Sequence, residues 1–476
     1  MISSIEIQSL MQETEYFRKA PELLLQFILY KLLADQGEAL SLKAILAEGS
    51  VQAILEKISD EFRRLNQVPA YRDLFVQIIP VQLELDIYSN EQAGDNFSFE
   101  QSTSFFSPEV IKISFLKNLD QLDLTNYSPN DWGEIYDLVL SLSSFKILRR
   151  RTPFGLVSEL ERLIIGLALM DKREQKLSVY DPNVELGYLL TMAFNKKNKL
   201  NGHKKWHSYL LVRFNFLAHG IPEEQCQIQF GDPIENDWQT DQATPEKFDV
   251  VVSDLSKGES WSGHKELAVD YRFKNYTLPP KSMAEYLYIL HGLAHLKDDG
   301  VMVVCLPAGA LYRVGLEEKL RKELIEQQVI ESLIAVPTRY TTQARRNSVV
   351  MVLRKKNREK RPGIYMLDVN DQIGNSLMQI FHNYQNQSIV PGRSTIASWE
   401  TVAANDYNLT ILKYVMSRMP QTAEEQIEYQ MSAYLREEQR LREGEKKLRR
   451  LMRRLDSDRY GQMLHRGRQR IDKIKE

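Results

Sequence analysis

Three short apolar runs in this chain lead into acidic residues. Leu177–Asp181 and Phe248–Asp254 (FDVVVSD) each end in an aspartate, and Cys226–Phe230 is followed by Gly231-Asp232. β-Branched runs of this length read as strands, and parallel sheets bind their ligands beyond the carboxyl ends of the strands. The loops after Asp181, Phe230 and Asp254 are therefore where chemistry is to be sought. A strand-end carboxylate such as Asp254 either caps its own turn or acts on a ligand, and spacing alone leaves both open. His203 and His207 have the spacing of two metal ligands on a helix, but no third ligand lies close in sequence. His219 and His264 add no pattern, so no metal is expected. Cys226 and Cys305 fall inside apolar runs and are expected to be buried and inert. No G-x-x-x-x-G-K-[ST] occurs, so ATP hydrolysis at a P-loop is not supported.

The elements that must position these residues follow from periodicity. Up to about residue 150 the chain reads as helical: PELLLQFILYKLLADQG, Val51–Leu65 and Trp132–Leu148 carry apolar residues at helical spacing. Ser89–Ser107 is rich in Ser, Asn, Gln and Gly and suits a long loop. Tyr71–Val81 is consistent with a strand or a buried helix. From about 151 to 370 strands and helices alternate. Helices are expected over Ser208–His219, Ser282–Leu296 (stopped by DDG) and Leu316–Gln327. Strands are expected over Val301–Pro307, Val329–Pro337 and Ser348–Arg354. Apolar strands alternating with helices indicate a mostly parallel sheet covered on both faces.

Across 476 residues, Lys+Arg is 62 and Asp+Glu is 64, a net charge of −2. A globally basic nucleic-acid binder is excluded, while a local basic face is not. The charge is segregated: Arg436–Glu476 holds 15 Lys/Arg against 8 Asp/Glu. With Leu435, Leu441, Leu448, Leu451, Leu455 and Met463 as an apolar stripe, this region reads as a long basic helix whose seam needs a partner. Arg149–Arg151 open the alternating region, and Arg339, Arg345 and Arg346 precede the Ser348 strand. Lys355, Lys356, Arg358 and Arg361 read as a solvated charged surface. The opening MISSIEIQSL lacks the pattern of a secretory signal, and no apolar run is long enough to span a bilayer, so a cytoplasmic protein is expected.

Taken in order, SVYDPNVELGYLL, FDVVVSDLSKG and LPAGALYRVGLEEKLRKEL resemble segments of the N6-adenine DNA methyltransferase (modification) subunit of type I restriction–modification systems. Thr152-Pro153, Asn215 with His219-Gly220-Ile221, Gly231-Asp232 and Asn405-Asp406-Tyr407-Asn408-Leu409 extend the likeness over roughly 150–415. The resemblance implies an α/β, Rossmann-like methyltransferase core at 151–370. It also implies an N-terminal helical domain at 1–150, a connecting segment at 371–420 and a C-terminal coiled-coil arm at 421–476. In such proteins a D-P-x-x-G-S-G loop approaches S-adenosylmethionine. Here Asp181, Pro182 and Gly187 match, with Glu185 and Leu186 in place of the small residues. No acid occupies Asn201–His207, where a ribose-binding carboxylate is implied, whereas Asp232 keeps the position implied for the cofactor's adenine.

The family's [N/D]-P-P-[Y/F] loop reads Asp254-Leu255-Ser256-Lys257. Its acceptor is kept, but both prolines and the base-stacking ring are replaced. The expectation is a catalytically degenerate methyltransferase-like subunit that serves a restriction-type complex as a structural or DNA-clamping component, with no cofactor. An active S-adenosylmethionine-dependent adenine methyltransferase and a regulatory scaffold that does not act on DNA are the alternatives. Arg339, Arg345 and Arg346 are the implied DNA contacts. A specificity-type subunit is the implied partner of the C-terminal helix, and no membrane is involved.

Overall fold

A computed structural model of the chain describes residues 4–415, apart from 14–16, 18–20, 73, 76, 79–104, 107–110, 128, 144–158, 173–175, 205–208, 239–244, 264, 337–346 and 370–376. Beyond 415 it describes Met431 and Arg442. Met1–Val415 forms one compact unit and Met416–Glu476 another. Arg339, Arg345, Arg346, His207, most of the Ser89–Ser107 segment and nearly all of the basic C-terminal stretch lie outside the described residues.

The core of the first unit is a sheet of nine strands: β1 Ser178–Asp181, β2 Lys199–Lys204, β3 Cys226–Phe230, β4 Phe248–Asp254, β5 Leu296–Pro307, β6 Ile330–Val336, β7 Ser348–Leu353, β8 Gly363–Asp368 and β9 Ser394–Ser398. Their spatial order is β3-β2-β1-β4-β5-β7-β6-β8-β9. Strands β3 through β5 pair in parallel, whereas β7 lies antiparallel between β5 and β6. The central strands β5, β7 and β6 carry the densest Val/Ile/Leu/Met runs because helices cover both faces, leaving no solvent side for alternation. The order reverses direction between β1 and β4, the position at which open α/β sheets take their ligands, at the carboxyl ends of the strands.

Two expectations need correcting. The helix expected over Ser282–Leu296 is α9, Glu285–Ala294, and Asp298-Asp299-Gly300 lies within β5 rather than in a stop after a helix. The DDG signal is overridden because β5 extends to pair Leu296 with Phe248 across an irregular register. Strand β2 was not expected, since Asn201, Gly202, His203 and Lys204 carry none of the usual strand signals. It forms because it is held between β1 and β3.

The first 142 residues contribute α1 Ser4–Gln12, α2 Pro21–Asp35, α3 Val51–Leu65, α4 Ile113–Asp120 and α5 Pro129–Leu142, and α6, Glu159–Ala168, follows before the sheet begins. Helix α2 is apolar around its circumference and nearly wholly buried, as a central helix must be. Its buried Lys31 is neutralised by Asp35 at 2.6 Å. Helix α3 is capped by Ser50, whose hydroxyl accepts from the Ala53 N–H at 3.2 Å. The helical layer is continuous with the sheet layer. Leu186 and Tyr188 from the region after β1, with Leu211 and Phe214 of α8 (Tyr209–Ala218), belong to the same apolar cluster as α1–α5. The Tyr136 hydroxyl, fully buried on α5, donates to the Leu211 carbonyl at 2.9 Å.

The segments that carried the family likeness late in the chain are joined by a buried arginine. Arg321, on α10 (Leu316–Glu326), is 1% exposed. Its guanidinium donates to the carbonyls of Ala310 (3.2 Å), Arg313 (3.0 Å) and Tyr407 (2.9 Å). The Leu409 N–H then donates to Leu311 O at 2.9 Å. A planar fork of five donors suits three carbonyls from two segments in a way a lysine does not.

A tight approach in β2 gives a stability prediction. A Cβ at Gly202 would lie 2.4 Å from Val184 Cγ2 and 3.2 Å from the Asp181 carbonyl. Gly202→Ala should destabilise the fold by about 1–3 kcal/mol, measured by urea unfolding. Adding Val184→Ala should cost less than the sum of the two single changes, because the clash and the truncation share one space.

Candidate functional site

The site is built on the register of β1 with β4, in which Val179 stands opposite Val250 and Tyr180 opposite Val251. Continued by one residue, this register sets Asp181 opposite Val252, so that Asp254 ends the adjacent strand two residues further along. Between them the buried Ser253 hydroxyl donates to Asp181 Oδ1 at 3.0 Å. Asp181 is 2% exposed, and burial pushes its carboxyl up to about 7; the bonds from Ser253 and Asn183 act the other way, and the charges of Glu185 and Asp254 add to the rise. Burial, followed by the Glu185 charge, raises Asp254 to about 6. Each aspartate also closes its own turn, accepting from a backbone N–H two residues on: Asn183 to Asp181 and Ser256 to Asp254, both at 3.0 Å.

The loop after β1 folds inward on three sides. Val184 is buried, and its N–H donates to His203 O at 2.9 Å. Leu186 is inserted into the helical cluster, where its carbonyl accepts from Asn215 Nδ2 at 2.6 Å. Gly187 begins α7 (Tyr188–Ala193) at a φ of +84°, with the Phe216 ring 3.0 Å from where a Cβ would stand. That combination of positive φ and close packing is what glycine alone accommodates without strain.

The loop after β4 is equally tied down. Leu255 is fully buried, and Gly258 closes a tight turn with its N–H on Leu255 O at 3.0 Å. Trp261 is held by its indole N–H on Pro280 O at 3.2 Å and its backbone N–H on Lys281 O at 2.9 Å. The two loops are joined to each other twice. Lys257 forms an ion pair with Glu185, and Asn183 Nδ2 donates to Glu259 Oε1 at 3.0 Å. Sequence reading singled out Glu185 and Lys257 separately, each as a departure from the family pattern, and missed their contact. Their opposite charges were the available signal, but a separation of 72 residues gives no reason to pair them.

Beyond β3, Gly231 has a φ of +125°, and Asp232 Oδ1 accepts from the Ile234 N–H at 3.0 Å. Tyr288, on α9, is buried beside Asp232. Asp181, Pro182, Gly187, Asp232 and Asp254 thus all stand at the carboxyl ends of β1, β3 and β4, in the loops expected to hold chemistry.

Behind this edge lies a buried polar network that sequence reading missed. The Tyr180 hydroxyl is bonded to His203 Nδ1 (2.8 Å) and His291 Nε2 (2.7 Å). His291 Nδ1 meets Arg272 Nη1 at 2.9 Å, and His295 Nε2 meets Asp237 Oδ1 at 2.8 Å. Burial drives His203 down to about 3 and His291 well below its ordinary range. His203 therefore lies in a strand as a buried neutral ring, not on a helix paired with His207. The ligand atoms of Asp237, His291 and His295 fall within 4.8 Å of one another, the spacing of a metal site. Arg272 takes that place as a cation, 3.3 Å from Asp237 and hydrogen-bonded to His291. Cys226 and Cys305 are buried, with thiols pushed up by desolvation.

A sheet in which β7 and the edge strand β9 run antiparallel to the other strands, with helices on both faces and loops at the carboxyl ends of β1, β3 and β4, is a methyltransferase-type α/β fold. The chain belongs to the N-6 DNA methylase family, whose model matches residues 130–423. It is 27% identical over 345 residues to the methylase subunit of the type I restriction enzyme MpnII of Mycoplasma pneumoniae, covering 66% of this chain and 63% of that protein. The chain thus spans less than two thirds of that relative's length. In fold it is similar to a type I restriction–modification methyltransferase subunit from Streptococcus thermophilus, with a TM-score of 0.65, 23% identity, and coverage of 87% of this chain and all of the other. A second similar chain comes from a structure describing complex assembly and conformational transition of the type I system (TM-score 0.51, 16% identity, 90% and 93% covered). Among the described residues no helix is long and apolar enough to cross a membrane.

The raised carboxyls set a pH dependence. Asp181 moves from 3.8 to about 7 and Asp254 from 3.8 to about 6, so the fold favours their protonated forms. Their stabilising contribution is full below pH ~4 and is lost as pH rises through 6 to 7. Urea unfolding between pH 5 and 8 should show stability falling with pH, and Asp181→Asn should flatten that slope.

Proposed function

We propose that this chain is a catalytically degenerate member of its family, a methyltransferase-like subunit that lends shape and charge to a restriction-type complex rather than methylating adenine. The single observation that carries this reading is the ion pair between Glu185 and Lys257. One partner stands in the loop that the family uses to approach S-adenosylmethionine, the other where the family places the ring that stacks on the target base. Methyl transfer needs donor and amine to meet between those two loops, and here a salt bridge joins them.

The residues present do not fit the cofactor in this arrangement. Glu185 adds a carboxylate where small residues are required, and Leu186 is committed to the helical core. The β2 end carries Asn201, Gly202 and His203 where the ribose would need an acid. Trp261, the nearest aromatic after Lys257, is fixed to Pro280 and Lys281. No step through S-adenosylmethionine is therefore assigned. In this reading the DNA contacts are Arg339, Arg345 and Arg346, and residues 421–476 hold a specificity-type subunit.

Calorimetric titration of the purified protein with S-adenosylmethionine tests the reading. No binding is expected at millimolar ligand, nor after Leu255→Pro, Ser256→Pro and Lys257→Phe are combined. Micromolar binding, with adenine methylation that disappears in Asp254→Ala, would overturn it. Removing residues 421–476 should abolish co-purification of the partner while leaving the first unit folded, since a domain carries its own core.

A further inference from the structure

At the other edge of the sheet, at the amino ends of β4, β5 and β6, the structure opens a cleft of about 790 Å³. Ligand cavities typically enclose about 300–1,000 Å³, so this one has room for a ligand of nucleotide size. Its floor is apolar, made by Leu290 and Leu293 of α9 with Val329. Tyr271 and Tyr276 line it with rings fixed through their hydroxyls, Tyr271 on Asp237 at 2.9 Å and Tyr276 on Gln327 Oε1 at 3.0 Å. The second bond leaves the Gln327 amide NH₂ as a donor.

Cations gather at the rim. Lys247 donates to Ala294 O at the end of α9, and Lys355 donates to Leu296 O at the start of β5 at 2.8 Å, so each keeps two further N–H donors. Lys356 and Arg358 stand beside them, exposed. Among the described residues none of these four is ion-paired with a carboxylate, although Asp298 and Asp299 also line the cleft. Burial lowers the Lys355 ammonium, and Lys247 and Arg358 lower it further against the opposing pull of Asp298. Clustered like charges of this kind are relieved by an anion.

We infer that this cleft is a binding site for a nucleoside phosphate, with the base against Tyr271 and Tyr276 and the phosphate on Lys247, Lys355, Lys356 and Arg358. Rigid rings that offer stacking faces, an amide donor for base edges and unpaired cations for phosphate are the complementary parts of such a ligand. The site lies across the sheet from the loops of Asp181 and Asp254, so its fate is independent of the reading proposed for them.

The test is calorimetric titration of the full chain at low ionic strength with AMP, ATP, inorganic phosphate and a short single-stranded oligonucleotide, alongside thermal melting. AMP and ATP should bind and raise the melting temperature, with inorganic phosphate at least tenfold weaker. The double change Lys356→Glu, Arg358→Glu, on exposed residues outside the core, should weaken nucleotide binding tenfold or more without lowering the melting temperature of the free protein. Absence of nucleotide binding, nucleotide affinity unchanged by that double variant, or phosphate binding as tightly as AMP would each overturn the inference. Binding of the oligonucleotide alone would overturn it in favour of a nucleic-acid surface.

Discussion

The register of β1 against β4 is the constraint on which the site depends. It brings two carboxyls, Asp181 and Asp254, to the carboxyl ends of adjacent strands, where isolated anions are costly. The structure answers with hydrogen bonds from Ser253, Asn183 and Ser256, and the two raised carboxyls take up part of the cost by favouring their protonated forms. Glu185 brings a third negative charge to the same edge, and Lys257 compensates for it. Loops that follow adjacent strands are thereby held together by charge.

Elsewhere buried polarity is handled in the same manner. Arg272 would be an isolated charge between α9 and the loop after β3, but it is held by Asp270, Asp237 and His291. Burial holds His203 and His291 in their neutral forms beside it. Arg321 takes the simpler course and donates to three backbone carbonyls. Removing either guanidinium leaves buried acceptors unpaired, so both are structural members of the fold before they are anything else.

How far the sequence was legible depended on how local each signal was. FDVVVSD, VMVVCLP and SVVMVL read as strands because burial on both faces demands uninterrupted apolar runs, and β4, β5 and β7 contain them. β2 was not legible, because Asn201, Gly202, His203 and Lys204 become a strand only through their neighbours. The DDG motif misled for the same reason: pairing with β4 extends β5 past an ordinary stop signal. Of the site, the strand-end carboxylates were readable from position and Gly187 from its match to the family's loop. The Tyr180–His203–His291 chain was not, since its members lie on two strands and a helix far apart in sequence.

By itself, then, the sequence determined the α/β class, the end of the sheet where the loops gather, and the residue types, Glu185 and Leu186 in one loop and Leu255, Ser256 and Lys257 in another, that those loops carry. These are properties of single segments, set by side-chain volume, backbone freedom and periodicity. Only the tertiary structure decided what these residues do together. Leu186 turns into the helical core, Glu185 meets Lys257, and Arg272 stands among the ligand atoms of Asp237, His291 and His295. Each of these is a contact between segments tens of residues apart, and charge or volume at one position carries no record of which distant position compensates for it.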